Sequence, residues 1–156
     1  MENCMGVITF SNMDEKFGTL CNARPVALLP FGGRYRLIDF SISSMVAYNI
    51  KTIGAFTGTK IQSVIDHIGS GKPWDLNRRF NGLFIFSPFY DNSSSKNIGN
   101  INLFYNNESF FRKAIEENIF ICNTDMLLKI DMEAAYDHFL NTDADITVIY
   151  KKATNF

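Results

Sequence analysis

Neither sign of charge is in excess in this sequence: 15 Lys plus Arg face 16 Asp plus Glu, for a net charge of −1. No field therefore gathers the phosphates of a nucleic acid, and nucleic acid is not an expected partner. Cysteine is scarce as well. Cys4, Cys21 and Cys122 are odd in number, widely separated and lack a Cys-x-x-Cys pair, which excludes a disulfide framework and a zinc site and suits a reducing cytosol. No apolar run approaches the roughly 20 residues that span a bilayer. Met1 to Phe10 has no basic stretch leading into a long apolar core, so neither membrane insertion nor targeting is expected and the predicted location is cytoplasmic. The only two histidines, His67 and His138, fall far apart on predicted helices and form no ligand pair. Internal repeats and low-complexity tracts are absent too.

What is present is 46% apolar composition over 156 residues, enough for the core of one domain. The 15 phenylalanines are spread through apolar segments and predict an aromatic-rich interior first, an extensive subunit contact second. Cys4 to Phe10 reads as a buried strand running into a loop at Ser11 and Asn12. Asp39 is placed to cap a helix whose inner face carries Ile42, Met45 and Val46 and which ends near Asn49. Thr52 to Phe56 is a second strand, and Lys60 to Ile68 a helix with Ile61, Val64, Ile65 and Ile68 on one stripe, stopped by Gly69 and Gly71. Trp74, after Gly71-Lys-Pro73, is read as a packing residue. Leu83 to Ser87 is a third strand, followed by Pro88 and a flexible Asp91 to Ser95 loop. Glu108 to Glu117 reads as helix, Asn118 to Cys122 as a fourth strand and Met132 to Leu140 as helix. Asp143 and Asp145 flank a turn before a fifth strand at Ile146 to Tyr150. Apolar strands alternating with amphipathic helices predict an α/β fold, a mostly parallel sheet covered on both faces. The last predicted strand has no helix after it, and residues 1–156 read as the front part of a domain.

In such sheets ligands sit beyond the carboxyl ends of the strands, which directs attention to the loops after Phe10 and Cys122. Between them lies Arg24-Pro-Val-Ala-Leu-Leu-Pro-Phe-Gly-Gly-Arg-Tyr-Arg-Leu-Ile-Asp-Phe40. Gly32 and Gly33 allow a close backbone turn, Arg34 and Arg36 offer fixed forks to anionic groups, and Asp39 caps the helix that follows. Any one of these could be an ordinary surface residue; together they are a distinctive block.

That block resembles the glucose-1-phosphate adenylyltransferase family, in which a Lys-Pro segment leads into Phe-Gly-Gly-Lys/Arg-Tyr/Phe-Arg-Ile-Ile-Asp-Phe. The resemblance continues at Asn123-Thr-Asp125, where the family has Gly-Asp-His, and at Lys129-Ile-Asp131, where it has Lys-Met-Asp. It implies a Rossmann-like nucleotidyltransferase domain. It also implies a family reaction in which ATP, with Mg²⁺, and glucose 1-phosphate yield ADP-glucose for glycogen. By that resemblance Arg24, Gly32, Gly33, Arg34 and Arg36 are the candidate phosphate-side residues and Asp125 the candidate metal ligand.

The departures point to a changed role. Catalytic members carry Gly-Gly-x-Gly-Thr-Arg-Leu after the first strand, a loop whose N–H groups cradle a triphosphate. Here the corresponding stretch is Phe10-Ser-Asn-Met-Asp-Glu-Lys-Phe-Gly-Thr-Leu20, with one glycine, no arginine and two acids, Asp14 and Glu15. The family's Gly-Thr-Ala-Asp-Ala is represented by Tyr105-Asn-Asn-Glu-Ser109, and its Lys before Pro by Arg24. The resemblance therefore implies a non-catalytic, GlgD-type subunit for which no cofactor is expected, partnered by a catalytic adenylyltransferase subunit, with a nucleotide or sugar-phosphate effector as a further candidate. An active nucleotidyltransferase with an atypical phosphate loop and a ligand-free assembly module remain the competing expectations.

Overall fold

The computed structural model describes residues 1, 3–11, 13–88 and 100–152. Its centre is a parallel sheet of four strands: β1 (Cys4–Thr9), β4 (Ile53–Phe56), β5 (Leu83–Phe86) and β6 (Asn118–Asn123), in the order β5-β4-β1-β6. Two short strands, β2 (Pro30–Phe31) and β3 (Tyr35–Arg36), form a separate antiparallel hairpin. The helices are α1 (Leu37–Ala47), α2 (Ile61–Ile68), α3 (Asn100–Asn106), α4 (Glu108–Lys113) and α5 (Met132–Asn141). The four strands and the helices over 37–47, 61–68 and 132–141 fall within a residue or two of their predicted bounds, because each is an uninterrupted apolar or amphipathic run.

Strand β1 pairs with β4 from Gly6↔Ile53 to Thr9↔Phe56 and with β6 from Cys4↔Asn118 to Thr9↔Asn123. All six of its residues are buried. Alternation then sorts the side chains. Cys4, Ile8, Ile53, Ala55 and Cys122 join Ile38, Ile42 and Met45 of α1, Val64 and Ile68 of α2 and Met132 of α5 in one core. Val7 and Phe56 face the other way, against Leu103, Phe104, Phe110 and Phe111 of α3 and α4, with Phe86.

Two glycines let the layers approach. A Cβ at Gly6 would lie 2.5 Å from the Met45 sulfur, and one at Gly54 would lie 2.7 Å from the Phe110 ring. Around Phe56 the rings of Phe86, Phe104, Phe110 and Phe111 have centroids 4.7 to 6.2 Å away. The aromatic interior predicted from composition is this cluster, whereas Phe31, Phe40 and Phe80 are exposed.

Three expectations are corrected. Ile146 to Tyr150 forms no strand: Ile146, Val148, Ile149 and Tyr150 are exposed, and a groove of about 640 Å³ lies between the segment and β6, so no ladder hydrogen bonds form. A strand sequence without a neighbour stays irregular. The helix read over Glu108 to Glu117 stops at Lys113 and is preceded by α3, with the break at Asn107. Asp39 is the third residue of α1 and not its cap; Arg36 occupies the cap, and Asp39 reaches back to accept the Arg36 N–H at 2.9 Å. The predicted Asp91 to Ser95 loop lies outside the described residues.

Gly54→Ala is expected to destabilise the chain by about 1–3 kcal/mol through overpacking against Phe110 and Phe56, read as a lower urea midpoint; an unchanged midpoint would show that the rings yield freely. The three cysteines are free and buried. Burial raises the Cys4 and Cys122 thiols from 9.0 to about 11. A raised folded value adds stability that is intact below the unfolded value and is lost as pH climbs through the folded one. Urea midpoints should accordingly show no thiol-linked loss below about pH 9 and a decline towards about 11.

Candidate functional site

The chain leaves β1, builds β4 and β5 on one side of it, then returns to place β6 on the other. The order reverses at β1, and in open parallel sheets the crevice at such a reversal is the ligand position. Thr9 and Asn123 are register partners there, so the loops after β1 and β6 emerge side by side. Thr9 Oγ1 donates to the Cys122 carbonyl at 3.3 Å, binding the two ends together. The two loops singled out from sequence are thus neighbours.

The loop after β1 is a 3-10 segment over Met13–Cys21, kinked at Gly18, where φ is 51°. Its Asp14 is half-buried and bonded on both oxygens. Oδ1 accepts the Val26 N–H at 3.0 Å, and Oδ2 lies 2.6 Å from the Lys60 ammonium. Lys60 also donates to the Cys21 carbonyl. Burial and then the Asp14 carboxylate raise the pKa of the Cys21 thiol, while Lys60 and Arg24 pull it down. Arg24 therefore belongs to the same electrostatic neighbourhood.

The remaining residues of the block lie on the hairpin. Gly32 and Gly33 form its turn with φ of 61° and 89°, a left-handed path that side chains disfavour. Arg34 is exposed and stacks on Tyr35 at 5.5 Å. Phe31 and Tyr35 meet Phe40 edge-on at 5.7 and 6.0 Å. Arg36 is held at the start of α1 by its main chain. Arg24 thus acts electrostatically on Cys21 at the end of the 3-10 segment, while Arg34 lies in the turn of the hairpin.

A second acid repeats the Asp14 pattern. Asp39 accepts the Arg36 N–H with one oxygen and meets His67 Nε2 at 2.6 Å with the other. Both acids thus join a main-chain N–H of the 24–36 block to a basic side chain flanking α2, Lys60 before it and His67 in its last turn. Sequence reading gave His67 no role and took Lys60 only as the start of a helix. A signal existed for Lys60, a lone cation just beyond the carboxyl end of a buried strand; His67 carried none, since its partner is 28 residues away. Trp74 packs on the core with its Nε1 donating to Ser43 Oγ at 2.9 Å, as a packing residue should. His138 is exposed.

At the end of β6, Thr124 N–H donates to Asn123 Oδ1 at 2.6 Å. Thr124 Oγ1 and Asp125 Oδ1 are buried and make no hydrogen bond to any of the described residues. An unpaired buried carboxylate oxygen suits a ligand. Among the described residues, however, no three His, Cys, Asp or Glu side chains are grouped to surround a metal ion. A magnesium-type cation takes six oxygens, and one carboxylate does not make that site, so the residues present do not by themselves fit a protein-held metal. Asp131, the other family-like acid, caps α5 by accepting the Ala134 N–H at 3.0 Å. Tyr105 to Ser109 spans the α3–α4 break and offers no glycine for close backbone approach.

The pattern of residues is matched by a family profile described as nucleotidyl transferase, over residues 15–155. The chain belongs to the nucleotidyl transferase family. It is 36% identical over 146 residues to the glycogen biosynthesis protein GlgD of Geobacillus stearothermophilus, covering 93% of this chain and 43% of that one. Similarity to GlgD of Bacillus subtilis is 29% over 94% of this chain and 43% of the relative. A glucose-1-phosphate adenylyltransferase of Thermotoga neapolitana is 31% identical over 95% of this chain and 35% of its own length. The chain thus spans less than half of these relatives. Among solved structures, a Bacillus anthracis protein assigned as a glucose-1-phosphate thymidylyltransferase superposes with a TM-score of 0.67 at 19% identity, over 88% of this chain and 50% of that one, which establishes a shared fold. No helix among the described residues is long and apolar enough to cross a membrane.

Removing the imidazole leaves a buried acid with one partner fewer, so His67→Ala should lower stability by about 1–3 kcal/mol in urea titrations. An unchanged midpoint would show that the Asp39 contact contributes nothing.

Proposed function

We propose that this chain is the N-terminal part, residues 1–156, of the nucleotidyltransferase-like domain of a regulatory, non-catalytic subunit of glucose-1-phosphate adenylyltransferase, serving ADP-glucose supply for glycogen. Its partner in this reading is a catalytic homologue. One observation carries the reading. The crevice end of β1, where a triphosphate would need N–H donors and positive charge, holds an acidic 3-10 segment whose Asp14 already occupies Lys60 and the Val26 N–H. The likeness to two proteins named GlgD supports the same reading.

Arg24, Gly32, Gly33, Arg34 and Arg36 are, in this reading, the remains of a phosphate side. Their present work is different: the glycines turn the hairpin, and Arg36 starts α1. Mg²⁺ with ATP belongs to the catalytic partner. A second reading, an active nucleotidyltransferase with an atypical loop, is favoured by the unpaired Thr124 Oγ1 and Asp125 Oδ1, which a bound ligand would satisfy.

Two assays separate them. The chain alone should release no pyrophosphate from ATP and glucose 1-phosphate. Mixed with a catalytic adenylyltransferase, the intact subunit should co-elute and shift the partner's substrate or effector affinity by roughly 5- to 150-fold, the usual range of allosteric coupling. Superimposable saturation curves with and without the subunit, and no co-elution, would end the regulatory reading.

A further inference from the structure

The donors that hold Asp14 come from two distant points of the chain. Val26 N–H opens the segment after the acidic loop, and Lys60 stands between β4 and α2. Arg24 adds a third positive source whose field reaches Cys21, as those of Asp14 and Lys60 do. A main-chain N–H and an ammonium converging on two oxygens are the donor set by which proteins hold phosphate oxygens. Here the oxygens belong to the chain itself. Glu15 beside Asp14 is exposed and pairs with neither donor in the structure.

We infer that Asp14 is an internal anion filling a phosphate-type seat formed by Val26 N–H and Lys60, and that this contact holds the Met13–Cys21 segment closed against polyphosphates. The inference deepens the non-catalytic reading: the loop lacks phosphate-binding glycines and also supplies a competitor for the remaining donors. Being covalently attached, the carboxylate competes intramolecularly, at an effective concentration on the order of millimolar. Because the two Asp14 oxygens draw on separate elements, the contact also ties the loop to the β4 side of the sheet. Loss of the charge should open the seat.

The test is isothermal titration of inorganic pyrophosphate into the intact chain without metal ions, for wild type, Asp14→Asn, Asp14→Ala and the double variant Asp14→Ala/Lys60→Met. Wild type should show no binding. Either single variant should bind pyrophosphate tighter than wild type by roughly tenfold or more, the scale of a charged hydrogen bond, and the Lys60 change should abolish the gain. Folded single variants that bind no better than wild type, or a gain that survives loss of Lys60, would overturn the inference. The wild-type protein gives an independent readout that needs no variant. Pyrophosphate should leave the Val26 amide resonance unmoved, and a saturable shift there would mean that the seat is open. None of these measurements involves a partner subunit, so a failed regulatory assay and a failed Asp14 assay remain distinguishable.

Discussion

Cys4 to Thr9 are buried, paired with β6 along their whole length and with β4 from Gly6 to Thr9, so the N–H and C=O groups of that strand must find their partners in the flanking chain. The pairing sets the register on each side. It also sets which residues meet the helices: a shift by one would turn Gly6 and Ile8 away from α1 and bring Val7 there. Gly6 and Gly54 show how closely the layers sit, since neither position has room for a methyl group. The loops that would handle a ligand are positioned as a consequence, side by side where Thr9 meets Asn123.

Above that frame the 24–36 block is strapped down at both ends by carboxylates. Asp14 at one end and Asp39 at the other each accept a main-chain N–H from the block and meet a basic side chain, Lys60 just before α2 and His67 in its last turn. Side-chain exposures of 26% for Asp14 and 10% for Asp39 place the second pair in the drier setting, where losing a partner is costlier. Both acids are satisfied internally, Asp14 by the Val26 N–H and Lys60, Asp39 by the Arg36 N–H and His67.

The exposed apolar residues are unevenly distributed. Helices α3 and α4 cover β4 and β5 with aromatic rings, but Ile119 and Ile121 on the same face of β6 stay exposed, as do Ile146, Val148 and Ile149 across the groove. The chain matches less than half the length of its GlgD relatives, and this edge is where its own side chains leave the sheet uncovered.

Periodicity alone determined the four strands, three of the helices, the parallel α/β class and the pair of loops at the crevice, because continuous apolar runs and 3.6-residue stripes are local properties of the chain. The Phe-Gly-Gly-Arg-Tyr-Arg block and its neighbours likewise carried the family. Tertiary structure decided the rest. Ile146 to Tyr150 has strand composition and forms none, since a strand exists only with a neighbour to bond. Asp14 looked like a bare charge opposing phosphate, and Asp39 like a helix cap. Both are bonded bridges to α2, at separations of 46 residues for Lys60 and 28 for His67. No local pattern encodes such contacts; they exist only because the sheet brings the ends of β1 and β4 together.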